Sequence, residues 1–161
     1  MSDDEVTIEE AREHFAHFMG LLATHVASQG ATIPCRAGCA GCCRGEVGVF
    51  DEERASILAA VPQAAYERLE AQGPTADPHT SVCPLLDPET QRCTIYAVRP
   101  LVCRSYAVVG DPDVCFPEKV PGGEPAILWD PVRFLADMAE RPPETNLRDL
   151  LASHGGDNAE S

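Results

Sequence analysis

Thiol crowding is what most limits how this chain can fold. Cys35, Cys39, Cys42 and Cys43 fall within nine residues, and only Arg36, Ala37, Gly38, Ala40 and Gly41 lie between them. Small residues and glycines let the backbone wrap tightly around a central point, because glycine accepts positive φ without steric cost. Thiolates at such short spacing are the ligands that zinc, or the iron of an iron–sulfur cluster, selects. In extended chain, neighbouring side chains point to opposite sides. The adjacent Cys42 and Cys43 are therefore expected to diverge, one of them serving a second site, a multinuclear cluster or a different role. The stretch reads as a metal or cluster nest.

A second group of four cysteines follows. Cys83-Pro84-Leu85-Leu86 and Cys93-Thr94-Ile95-Tyr96 are short apolar segments separated by the turn-forming Asp87-Pro88-Glu89-Thr90. A hairpin or tight loop is predicted there, holding Cys83 near Cys93. Cys103 lies between Arg99 and Arg104, and Cys115 comes after the loop Gly110-Asp111-Pro112-Asp113. Arginines beside a thiol can lower its pKa, donate hydrogen bonds to sulfur and offset the charge of a thiolate-ligated centre. Arg99 and Arg104 are accordingly assigned to contacts with the bound cofactor. Tyr96 and Tyr106 read as packing residues with hydrogen-bonded hydroxyls. The metal ligands expected are Cys35, Cys39, Cys42, Cys43, Cys83, Cys93, Cys103 and Cys115. The two groups are expected to interleave, Cys42 or Cys43 joining members of the second.

Composition narrows the function classes. The chain has 161 residues, with 12 Lys and Arg against 26 Asp and Glu, for a formal net charge of −14. So acidic a surface repels nucleic acid and anionic membranes, so metal ions are the partners expected, with any protein partner unidentified. No apolar run is long enough to cross a bilayer. The start, Met1-Ser2-Asp3-Asp4-Glu5, lacks the basic and apolar regions of a signal peptide. A cytoplasmic setting follows, where disulfides rarely persist, and eight cysteines there point to metal or redox chemistry.

The fold class expected is α+β: a small, helix-rich single domain with little regular sheet, organised around a cysteine-ligated metal centre. Its parts are an N-terminal amphipathic helix (1–30), a cysteine-cluster core (31–118), a helical packing segment (119–150) and a disordered tail (151–161). In the first, Thr7 and Glu10 form a capping box, and Ile8, Ala11, Phe15, Phe18, Leu22 and Val26 make one apolar stripe. His14, His17 and His25 flank that stripe and read as a solvated helix edge rather than a second metal site or proton relay. Glu46–Phe50 alternates like a short strand, Asp51 caps a helix to about Val61, and another short helix runs from Pro62 to Gln72. A helix over about 130–140 would bury Val132, Phe134, Leu135 and Met138, with Trp129 beside them.

The run Cys35…Cys39…Cys42-Cys43, then Cys83-Pro84-Leu85, then Cys93 through Val98-Arg99-Pro100-Leu101-Val102-Cys103-Arg104-Ser105-Tyr106, resembles the YkgJ-type cysteine-cluster family. It is similar as well to a segment of flagellin lysine N-methylases. The resemblance spans roughly residues 35–115, with Cys115 as the late cysteine of the pattern. Its first gap is three residues, where many members have two. The resemblance implies zinc or iron–sulfur binding. Cys35-x-x-x-Cys39-x-x-Cys42 also matches the radical-SAM cluster spacing, and Gly122-Gly123-Glu124-Pro125 looks like that superfamily's methionine-binding strand. The two stand too far apart, and the chain is too short for the partial barrel such enzymes use.

The function expected is therefore a metal-binding cysteine-cluster protein, holding an iron–sulfur cluster (four-iron, four-sulfur first) or zinc. Alternatives are an enzyme using the centre for redox or methyl-transfer chemistry, and a zinc-organised protein-interaction module. Folding and metal binding should be coupled, so chelation should loosen the domain.

Overall fold

The computed structural model describes residues 7–77, 81–105, 108–116 and 143–158. Tyr106, Gly122–Pro125, Trp129 and the helix expected over about 130–140 lie outside the described residues. The chain divides into two compact units, each visited twice: residues 1–36 with 105–142, and 37–104 with 143–161.

The first unit is led by α1, Ile8–Ser28. Its capping box forms as expected. The Glu10 amide donates to the Thr7 hydroxyl at 3.2 Å, and the Thr7 amide donates to the Glu10 carboxylate at 2.8 Å. Those two bonds satisfy amides that a helix start leaves orphaned. Ile8, Ala11, Phe15 and Val26 are buried, whereas Phe18 at the stripe's margin stays 37% exposed. His14, His17 and His25 are exposed, as a solvated edge requires. Gly30, at φ +75°, ends the helix in a conformation that glycine adopts without strain. Later in this unit the Gly110 amide donates to the Thr32 carbonyl at 2.8 Å. A short 3-10 helix, Pro112–Cys115, then starts from Asp111, whose side chain accepts from the Asp113 amide.

The second unit holds the remaining regular structure. Strand β1 is only Gly48–Val49 and pairs antiparallel with β2, Thr145–Asn146. The Leu147 amide extends the pairing by donating to the Val47 carbonyl at 2.8 Å. Gly48 is required here, because a Cβ at that position would stand 2.7 Å from the Pro143 ring. Helix α2 is Asp51–Ala60 and α3 is Gln63–Gln72. The cap of α2 falls one residue before the expected Asp51: Phe50 is the N-cap, and its amide donates to Glu53 at 3.2 Å. Glu144 accepts from the Asp51 amide at 2.9 Å, so a second carboxylate serves the same helix end. A 3-10 turn, Tyr96–Val98, leads to α4, Leu101–Ser105.

The segment after Leu151, expected as a tail, is instead part of helix α5, Leu147–Asn158. Leu147, Leu150 and Leu151 recur at helical spacing and are buried with Val49, Ile57, Ala65, Leu85 and Ile95 in one apolar core. Gly155 suits the helix because a Cβ there would press on the Tyr66 ring at 3.2 Å. The α+β class with minimal sheet is observed. The organising element of this unit is the apolar core, against which Cys83 and Cys93 pack from the side. No metal-holding group is found among the described residues.

Candidate metal centre

Three segments of the second unit bring thiols together. The loop carrying Cys39, Cys42 and Cys43 turns on a bond from the Cys43 amide to the Ala40 carbonyl at 3.0 Å. It is tied to the second segment directly, since the Cys83 amide donates to the Cys43 carbonyl at 2.8 Å. From Cys83 the chain enters the expected hairpin. The Asp87 amide donates to the Arg92 carbonyl at 2.9 Å, and Leu86 bridges Cys93 in antiparallel fashion. Asp87 builds the turn by accepting from the Glu89 and Thr90 amides at 2.8 and 3.1 Å, the local bonding that favours Asp in turns. Cys103 arrives on α4.

The backbone around Cys83 is clamped by side chains from two helices. Arg68 on α3 donates Nε to the Pro84 carbonyl at 2.7 Å. Gln72 on α3 and Arg148 on α5 both donate to the Val82 carbonyl, at 2.9 and 2.8 Å, and Arg148 also holds Gln72 at 2.6 Å. Residues 82–84 are thus fixed on both sides of the thiol.

Cys42 and Cys43 do not diverge. Residue 42 lies in a turn rather than an extended strand, and the two sulfurs are hydrogen-bonded to each other. That bond is the foremost influence on both thiols. With help from a backbone amide and the Arg99 charge, it outweighs burial and lowers Cys42 to about 7. It also holds the proton on Cys43, which is pushed far above the usual thiol range. Burial and the neighbouring Cys42, Cys83 and Cys103 push Cys43 the same way. Burial is the leading cause that raises Cys83, Cys93 and Cys103. Cys93 acts on Cys83, Cys42 acts on Cys93, and Cys83, Cys42 and Cys93 all act on Cys103. Five thiols from three segments therefore occupy one electrostatic neighbourhood. Arg148 opposes the rise at Cys83, and Arg99 opposes it at Cys93 and Cys103.

The two arginines flanking Cys103 have different surroundings. The Arg99 guanidinium lies over the Tyr96 ring at 4.2 Å, a cation–π contact, and its buried Nε has no hydrogen-bond partner. Arg104 donates Nε to the Arg99 carbonyl at 3.1 Å and Nη2 to the Ala97 carbonyl, closing the turn that leads into α4. Cys39 is half-buried in the same unit as the five thiols; Cys35, exposed, and Cys115, buried, belong to the first unit. None of the eight cysteines is in a disulfide.

A family model described as "CxxCxxCC: Putative zinc- or iron-chelating domain" matches residues 34–124. The chain belongs to this CxxCxxCC family. The matched stretch contains all eight cysteines, along with Glu53, Arg68 and Gln72, whereas Arg148 lies beyond it. No curated protein matches the chain, and no solved structure does.

The donor set suits the metals that the CxxCxxCC description prints. Thiolate sulfur is the ligand of choice for zinc and iron–sulfur clusters, and an arginine donor with an unused buried N–H fits beside such sulfurs. The sulfurs are gathered, yet no three His, Cys, Asp or Glu among the described residues stand as a closed ligand set. The loop around Cys39–Cys43 is rich in small residues, which leave its backbone room to adapt. Sequence reading singled out the thiols and Arg99 as candidates. It did not find Glu53, Arg68, Gln72 or Arg148, whose partners are 10 to 76 positions away in the chain.

Proposed function

We propose that the chain binds an iron–sulfur cluster through thiolates drawn from Cys42, Cys43, Cys83, Cys93 and Cys103, with zinc as the competing occupant. The supporting observation is the mutual electrostatic influence of these five thiols across three chain segments. Burial and the neighbouring thiols make Cys43, Cys83, Cys93 and Cys103 harder to ionise, a cost that a bound cation reverses. Both sulfurs of an adjacent pair lie in one locus, which suits a multinuclear centre, whose ligand positions are further apart than those around a single ion. Arg99 then serves as donor to the sulfurs and as countercharge. Arg104 shapes the turn that presents Arg99 and α4, and Cys39 supplies a further thiolate. A bound cluster would bring one-electron chemistry or a structural cross-link. Because ligating thiolates must stay reduced, the reading implies a reducing, cytoplasmic setting.

Purification without oxygen, with an absorption spectrum and iron, zinc and acid-labile sulfide analysis, tests this. Brown protein with a broad band towards the blue and matching iron and sulfide is expected. Colourless protein carrying zinc transfers the site to zinc. Folded, metal-free protein whose thiols all react with alkylating reagent refutes metal binding altogether.

A further inference from the structure

Glu53 is the one charged side chain in the buried set of the described residues, at 0% exposure. Its two oxygens are divided between distant parts of the chain. Oε2 accepts from the Phe50 amide at 3.2 Å, at the start of its own helix. Oε1 accepts from the Leu101 amide at 2.8 Å, 48 residues on. Leu101 is the first residue of α4, and Cys103 sits two positions further along.

Helix α4 has little to hold it in place by itself. It has five residues, and the residue before it is Pro100, which has no side-chain oxygen to cap the first amides. Helices this short are unstable unless tertiary contacts fix them. The Arg104 amide donates to the Pro100 carbonyl at 3.1 Å, closing its first turn. Arg104 fixes the approach to the helix through the carbonyls of Ala97 and Arg99. The front is held by Glu53, which caps α4 from a different helix.

We propose that Glu53 is the positioning residue for Cys103. Its buried carboxylate joins the start of α2 to the start of α4 and so fixes where the Cys103 thiol stands among Cys42, Cys83 and Cys93. An amide cannot replace it. Glutamine offers one acceptor and one NH2, so either the Phe50 or the Leu101 amide would face a donor. Aspartate keeps both acceptors on a side chain one methylene shorter, and can serve one amide well. The assignment of Cys103 as a ligand rests on the metal-binding reading; the placement of its thiol does not.

The test therefore has a metal-free arm and a metal arm, both on the full reduced chain. In the first, alkylation rates of individual thiols are followed by mass spectrometry. Glu53→Gln should speed reaction at Cys103 by about tenfold or more, with Cys83 and Cys93 near their original rates, because freeing one buried amide shifts a local opening. Glu53→Asp should fall between. In the second arm, cobalt or zinc titration should show affinity lowered about 10- to 100-fold in Glu53→Gln, the range for residues that orient ligands. Glu53→Gln combined with Cys103→Ser should be no weaker than Cys103→Ser alone, which a general loss of stability would not produce. Unchanged Cys103 reactivity overturns the proposal, as does equal acceleration at all thiols. Should Glu53→Gln not fold, Glu53→Asp decides: a wild-type Cys103 rate there also refutes it. If the parent protein binds neither metal, the metal-binding reading fails, and the alkylation arm still judges Glu53.

Discussion

Arg148→Ala separates a clamp around Cys83 from an ordinary surface arginine. The guanidinium donates to Gln72 Oε1 at 2.6 Å and to the Val82 carbonyl at 2.8 Å. Hydrogen bonds from a charged donor contribute about 1.5–3 kcal/mol each in good surroundings. Two facts reduce that here. The Val82 carbonyl keeps its bond from Gln72 Nε2 at 2.9 Å, and the bond from Arg148 to it is solvent-exposed. A net loss of about 1.5 kcal/mol is therefore expected, or a melting point about 3–6 °C lower for a chain of this size. The charge matters separately, because Arg148 favours the ionised form of Cys83. Without it, a metal must displace a more firmly held proton, so zinc affinity in a chelator competition should drop about tenfold, the lower end for such neighbours. Lysine keeps the charge but not the two-pronged fork, so Arg148→Lys should recover more of the affinity than of the melting point. A melting point within about 1 °C of the parent, with Cys83 alkylated at the parent rate, would refute the clamp.

The hydrogen bond between Cys43 and Cys42 makes Cys42 the most acidic of these five thiols, at about 7. Cys43→Ala should move the midpoint of Cys42 alkylation in metal-free protein upward, and an unmoved midpoint would show that the acidity has another source. Stability should also follow pH in the metal-free state. The depressed Cys42 adds stability as pH rises from about 7 towards the ordinary thiol value of 9.0. Above 9.0 the unfolded chain ionises thiols that the folded chain keeps protonated at Cys83, Cys93 and Cys103, so stability should fall. Urea midpoints between pH 6 and 10 check this, and a flat profile would contradict the shifts.

What could be read from the sequence was what is local. The Thr7–Glu10 box, the α1 stripe and the Asp87 turn each depend on residues within a few positions, and each forms. The Cys42–Cys43 geometry was misjudged because the alternation rule holds for strands, and the Cys43-to-Ala40 bond makes this stretch a turn. The C-terminal helix was obscured by Gly155-Gly156, ordinarily a breaker, although Leu147, Leu150 and Leu151 carry the helical spacing. Only the fold supplies the reason for Gly155, which is contact with the Tyr66 ring. Arg99 and Arg104 look alike in sequence, and Glu53 looks like any other acid in a chain with 26. What sets these residues apart is a partner distant in the chain, or a place beside a particular thiol, and neither leaves a local trace.

The core and the thiols are adjacent but not the same structure, which bears on what chelation does. Val49, Ile57, Ala65, Leu85, Ile95, Leu147, Leu150 and Leu151 come from α2, α3, α5, β1 and the hairpin, and they bury one another without needing a sulfur atom. Full burial of such side chains stabilises by about 1.5–3 kcal/mol each, so the six leucines and isoleucines among them outweigh any single clamp in the unit. The loop from Cys39 to Cys43 has no comparable anchor. Its backbone turn is one bond, and the Cys83 amide joins it by another. Loosening of the whole domain, the expectation from thiol count alone, should therefore narrow to this loop. After chelation under reducing conditions, hydrogen exchange should accelerate at residues 37–44 while amides in α2, α3 and α5 keep most of their protection. Collapse of protection in those helices together with the loop would mean that the apolar core cannot stand without metal.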